Sequence, residues 1–194
     1  MPTQVRTLSP TFKMKIAFIG AHGTGKTILC HELAAWLKKN DKEVELVTEV
    51  ARDAIKVGLP INESTTIEAQ IWIILTQIAK EIEAEKNSKI VICDRSVIDN
   101  YAYLFHSFGS QKHIENLIKQ HLKSYDFLFK VPIFYQLKED GVRTIDENFQ
   151  KVIDETIDKL LDKNKINHYK LLMDKDFLEQ VKETINEENE SLIL

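Results

Sequence analysis

Cysteine is nearly absent. The 194-residue chain has two, Cys30 and Cys93, both inside apolar stretches where they read as small buried hydrophobes. A disulfide framework is therefore excluded, and a reducing, cytoplasmic setting is expected. No apolar run approaches the roughly 18–20 residues that cross a bilayer, so no membrane partner is expected. The opening stretch MPTQVRTLSPTFK lacks a continuous apolar core and does not read as a secretory signal. A dominant charge is missing too: 26 basic against 30 acidic residues leave −4, with no global reason to expect a nucleic-acid partner. His106, His113, His121 and His168 show no metal-ligand spacing. The chain lacks internal repeats, low-complexity tracts and linkers. Its 43% hydrophobic content is ordinary for a globular protein and excludes wholesale disorder, and its length suits one domain.

What is present is an alternation of short apolar runs and helical periodicity. KIAFI (15–19), VELVT (44–48), KIVIC (89–93), DFLFKV (126–131) and HYKLLM (168–173) read as strands. Between them, 26–39, 67–86, 97–106, 111–123 and 149–163 carry helical spacing, and a polar terminal helix runs to about residue 190. Such alternation predicts an α/β three-layer sandwich around a five-stranded parallel sheet. The expected organisation is a tail over 1–13 and one domain over 14–194.

Gly20-Ala21-His22-Gly23-Thr24-Gly25-Lys26-Thr27 fits G-x-x-x-x-G-K-[ST] directly after the first strand. Gly20, Gly23 and Gly25 let the backbone turn tightly and present N–H groups to phosphate oxygens. The helix opening near Lys26 directs its N-terminal dipole at the same anion. Lys26 supplies a point charge, Thr27 a hydroxyl for Mg²⁺, and Thr24 a further loop position around the nucleotide. His22 belongs to the loop expected to hold the nucleotide, at a variable position where its side chain reads as filler. The pattern arises by chance in roughly 1% of chains of this size or fewer.

Three further segments bear on the chemistry. Asp94-Arg95-Ser96 follows the third strand, KIVIC, at the end where open α/β sheets bind ligands. There Asp94 suits Mg²⁺, and Arg95 suits oxygens of donor and acceptor; the competing readings are a helix N-cap and a surface ion pair. Glu49 ends the second strand, placed to accept the proton of an attacking hydroxyl, with Arg52 one turn on. The bland alternative is a solvated Glu–Arg pair; Asp53 divides evenly between the two. Asp140-Gly141-Val142-Arg143 falls in a polar stretch, a candidate lid near 136–148 that delivers Arg143 to the phosphoryl group. Three of the chain's four arginines, against 22 lysines, fall in these segments. Asp99 is a candidate contact to a sugar hydroxyl. Tyr101, Tyr103 and Phe105 divide between ring stacking and core packing, and Trp72 reads as core.

Together GAHGTGKT, TEVARD, CDRSVIDNYAY and EDGVRTIDENFQ resemble the small AAA-type P-loop ATP-binding proteins related to nicotinamide-riboside kinase, and the deoxynucleoside and thymidylate kinases. The resemblance implies ATP with Mg²⁺ as phosphoryl donor, Asp94 serving Mg²⁺, Arg95 the phosphates, Glu49 the acceptor hydroxyl and Arg143 the lid. The function it implies is a small-molecule kinase acting on a nucleoside- or nucleotide-like acceptor, through a hydroxyl or a phosphate. An ATP-binding switch and a polynucleotide end kinase remain as alternatives; a GTPase is disfavoured because no N-K-x-D segment occurs. A homodimer is compatible with the sequence, which does not set the oligomeric state.

Overall fold

The first strand decides the layering. In a computed structural model, which describes residues 13–61, 64–134 and 146–191, β1 (Met14–Ile19) is buried along its whole length. Successive side chains of a strand point to opposite faces. Accordingly Met14, Ile16 and Phe18 enter one apolar cluster, and Ala17 and Ile19 enter another on the far side of the sheet. Full burial of each large apolar side chain contributes about 1.5–3 kcal/mol.

The other strands are β2 (Val44–Val47), β3 (Ile90–Asp94), β4 (Phe127–Lys130) and β5 (Tyr169–Lys170), in the order β2-β3-β1-β4-β5, all parallel. Helices α1 (Lys26–Lys39) and α7 (Phe177–Ser191) cover one face through Leu29, Leu33, Leu37, Val181 and Ile185. The other face is covered by α3 (Ile67–Asn87), α4 (Val97–Phe108), α5 (Lys112–His121) and α6 (Glu147–Asn164), through residues such as Ile74, Ile98, Ile118 and Ile153. Short α2 (Ala51–Lys56) packs Val50 and Ala54 against Ile73 of α3. None of the described helices is long and apolar enough to cross a membrane. The expected three-layer α/β architecture is therefore what the chain adopts.

β1 and β3 are neighbours, paired from Met14↔Ile90 to Phe18↔Asp94. Their outgoing helices, α1 and α4, pass to opposite faces. A crevice opens where two such connections diverge, at the C-terminal ends of the strands.

Two expectations change. β3 ends on Asp94 itself, so this carboxylate belongs to the strand rather than following it. β5 spans only two residues instead of 168–173. The Gln180 side chain accepts from the Leu172 N–H at 2.8 Å and donates to its carbonyl at 2.9 Å, so these backbone groups are satisfied without a strand partner. The 1–13 tail, except Lys13, lies outside the described residues. So does most of the candidate lid, with Asp140, Gly141 and Arg143.

Candidate functional site

The turn after β1 needs glycine for a measurable reason. Gly20 has φ +140°, and a Cβ there would meet the Val131 carbonyl oxygen at 2.7 Å. Gly23 and Gly25 take the left-handed region at +74° and +81°, which costs glycine little. Gly25 is the N-cap of α1, so the first N–H groups of that helix face the crevice end of the loop without intrahelical acceptors.

Lys26 is buried, and its ammonium donates to the Ala21 carbonyl at 2.5 Å and to Thr24 Oγ1 at 3.1 Å. Burial, reinforced by the Arg95 charge, lowers its pKa to about 8. Thr24 in turn donates to the Ala21 carbonyl at 3.1 Å. This is a cation held ready over a turn of backbone.

Thr27 Oγ1 donates to Asp94 Oδ2 at 2.6 Å, joining the loop to the end of β3. These two oxygens are of the kind that Mg²⁺ takes. Among the described residues no group of three His, Cys, Asp or Glu side chains is placed to hold a metal ion.

Arg95 carries a positive φ of +84°, uncommon for a side chain of this size. The turn is secured by its N–H donating to the Phe18 carbonyl at 3.2 Å and by Gln77 Nε2 donating to its own carbonyl at 3.4 Å. It aims the buried guanidinium at Glu49, with Nε 2.9 Å and Nη2 2.8 Å from Oε1. Arg52 Nε reaches Glu49 Oε2 at 3.3 Å from the first turn of α2. The Glu49 carboxylate is 5% exposed and is held from two sides, so it is no solvated surface pair.

Asp99 is tied to the loop itself. Its carboxylate accepts from the Gly20 N–H at 2.7 Å, the Ser96 N–H at 2.8 Å and Ser96 Oγ at 2.9 Å. It closes the capping box of α4 and fixes the start of the loop. Burial raises its pKa. Asp53 turns away: it pairs with Lys56 and Lys80, whose hydrogen bonds lower its pKa.

His22 is more than filler. Its buried ring lies 3.1 Å from the Tyr103 hydroxyl through Nδ1 and 5.8 Å from the Phe149 ring centroid. Tyr103 also sits under the Arg95 guanidinium at 5.3 Å. Trp72 is only half-buried, against the small cluster that anchors α2. Sequence reasoning missed Gln77, Gln150 and Asp154. The only trace of them is a polar residue at a core-facing helical position, which no motif marks.

The AAA domain family model matches residues 15–178. No curated protein matches the chain. Among solved structures, the crystal structure of thymidylate kinase from Ehrlichia chaffeensis superposes with a TM-score of 0.64 at 21% identity, covering 90% of this chain and 99% of that one. At that identity the likeness speaks for the fold, a P-loop kinase-like sandwich.

Proposed function

We propose, for a chain that belongs to the AAA domain family, ATP-dependent transfer of the γ-phosphoryl group to a hydroxyl of a nucleoside-like small molecule. One observation carries the reading: Arg95, one residue beyond the Asp94 that meets Thr27, clasps the buried Glu49 carboxylate. The likeness to a thymidylate kinase fits an acceptor of nucleoside or nucleotide type. The Arg95 fork is engaged by Glu49, which favours a hydroxyl over a phosphate as the attacking group.

Lys26 and the loop amides orient the triphosphate, and Thr27 with Asp94 would hold Mg²⁺. When bound, that ion would supply neutralisation of the charge on the transferring phosphoryl group. Glu49 accepts the hydroxyl proton as the acceptor O–P bond forms and the bond from the γ-phosphorus to its bridging oxygen breaks, releasing ADP. Little base strength is needed in so loose a transition state, so orientation is the main service of Glu49. Arg52 borders the acceptor, and Arg143 is proposed, on its sequence context, as the charge delivered to the phosphoryl group in flight. The test is a panel of nucleosides, nucleotides and nicotinamide riboside, incubated with ATP and Mg²⁺ and read by mass spectrometry. A phosphorylated product with acceptor-dependent ADP release is expected. Acceptor-independent turnover that responds to a protein partner would overturn the reading in favour of a nucleotide switch.

A further inference from the structure

Helix α6 holds the phosphate loop at two points one turn apart. Gln150 Nε2 donates to the His22 carbonyl at 2.6 Å, and the Ala21 N–H donates to Asp154 Oδ1 at 3.1 Å. Residues four apart share a helix face. Gln150 is buried, and the preceding Phe149 lays its ring against His22.

The consequence runs through one peptide unit to the next. The N–H of Ala21 is fixed by Asp154, while its carbonyl receives the Lys26 ammonium and the Thr24 hydroxyl. A shift of Ala21 therefore displaces the cation intended for phosphate. A carboxylate beside an anion site would repel the ligand unless compensated, and Lys130 Nζ lies 2.9 Å from Asp154 Oδ1. Lys130 also reaches Asp158 Oδ1 at 3.1 Å, so β4 and α6 are tied together behind the clamp.

We propose that Gln150 and Asp154 are positioning residues for the nucleotide, a two-point clamp by which α6 sets the Ala21–His22 backbone and, through it, Lys26. The inference rests on the reading of this loop as a nucleotide site. It does not depend on the acceptor or on transfer.

The competing role for Asp154 is purely structural, as the partner of Lys130. Asp154→Asn separates the two, because an amide oxygen still accepts from the Ala21 N–H while the charge is gone. ATP affinity is measured by calorimetry, and amide hydrogen exchange is followed in the ligand-free protein over residues 20–25 and over β3. Asp154→Ala and Gln150→Ala are expected to weaken ATP binding roughly five- to tenfold and to speed exchange in the loop but not in β3. Asp154→Asn is expected to restore both readouts most of the way. Equal losses in Asp154→Asn and Asp154→Ala, or faster exchange spread evenly through loop and β3, would overturn the clamp. Should Asp154→Ala fail to fold, Gln150→Ala decides: unchanged affinity and unchanged loop exchange overturn the proposal. Wild-type protein that binds ATP but phosphorylates no acceptor would remove the kinase reading and leave the clamp standing.

Discussion

Arg95 and Glu49 stand 46 residues apart in the chain, yet the guanidinium meets the carboxylate at 2.8 Å in a buried site. The pairing of β2 with β3, from Val44↔Ile90 to Val47↔Cys93, brings their C-terminal ends side by side. The positive φ of Arg95 then turns its side chain toward the neighbouring strand end. Strain at such a residue persists when its surroundings fix it, as Phe18 and Gln77 do here.

Glu49→Gln should leave ATP affinity nearly intact and reduce transfer to a hydroxyl by about 10²-fold or more. Steady-state kinetics beside calorimetry checks it. A transfer rate close to wild type would remove Glu49 from the acceptor's proton.

Lys26 links nucleotide binding to pH. Its folded pKa of about 8 lies below the ordinary 10.5, so without ligand the folded state binds fewer protons than the unfolded state between these values. Stability should rise with pH across that window. Triphosphate favours the ammonium, so ATP binding above pH 8 should take up a proton and weaken by up to about tenfold per pH unit. Titrations in buffers of different ionisation enthalpy read the proton directly. Lys26→Ala should abolish turnover and flatten the pH dependence.

Gly20→Ala should destabilise the protein by about 2 kcal/mol or more, because a methyl group would press on backbone at a φ that side chains avoid. A thermal melt measures this loss. Nucleotide binding should weaken with it, since the same residue starts the loop.

Under α3 lies a buried ionic group. The Glu81 carboxylate faces Lys15 at 3.3 Å, His121 at 2.7 Å and hydroxyl and amide donors from Tyr125 and Gln77, both at 2.7 Å. Burial pushes the Glu81 pKa up, but these partners prevail and hold it below its ordinary 4.5. A carboxylate so depressed adds stability above its unfolded value, and that stability is lost as the pH falls through the folded value. Melting temperatures should therefore drop on acidification below about pH 4.5, and Glu81→Gln should shrink the drop while costing about 3 kcal/mol at neutral pH.

Arg143→Lys should lower turnover more than ATP affinity, because the role proposed for Arg143 calls for a planar fork that an ammonium does not supply. Equal effects on turnover and on calorimetric ATP affinity would argue against that part for Arg143.

The sequence by itself determined the scaffold and the anion site. Local patterns suffice there: apolar runs specify buried strands, their alternation with amphipathic helices specifies a parallel sheet, and GAHGTGKT carries its own backbone chemistry in eight consecutive residues. That Thr27 and Asp94 lie near each other was legible because a motif and a strand end each mark the C-terminal edge of the sheet. What only the tertiary structure decided is the polar framework around that crevice. Asp99 serves the Gly20 amide, His22 packs under Phe149, and Gln150 and Asp154 reach the loop from a helix some 130 residues away in sequence. The reason is physical. A polar side chain that satisfies a distant backbone group leaves no period or spacing along the chain, and its partner is set only when the layers have packed.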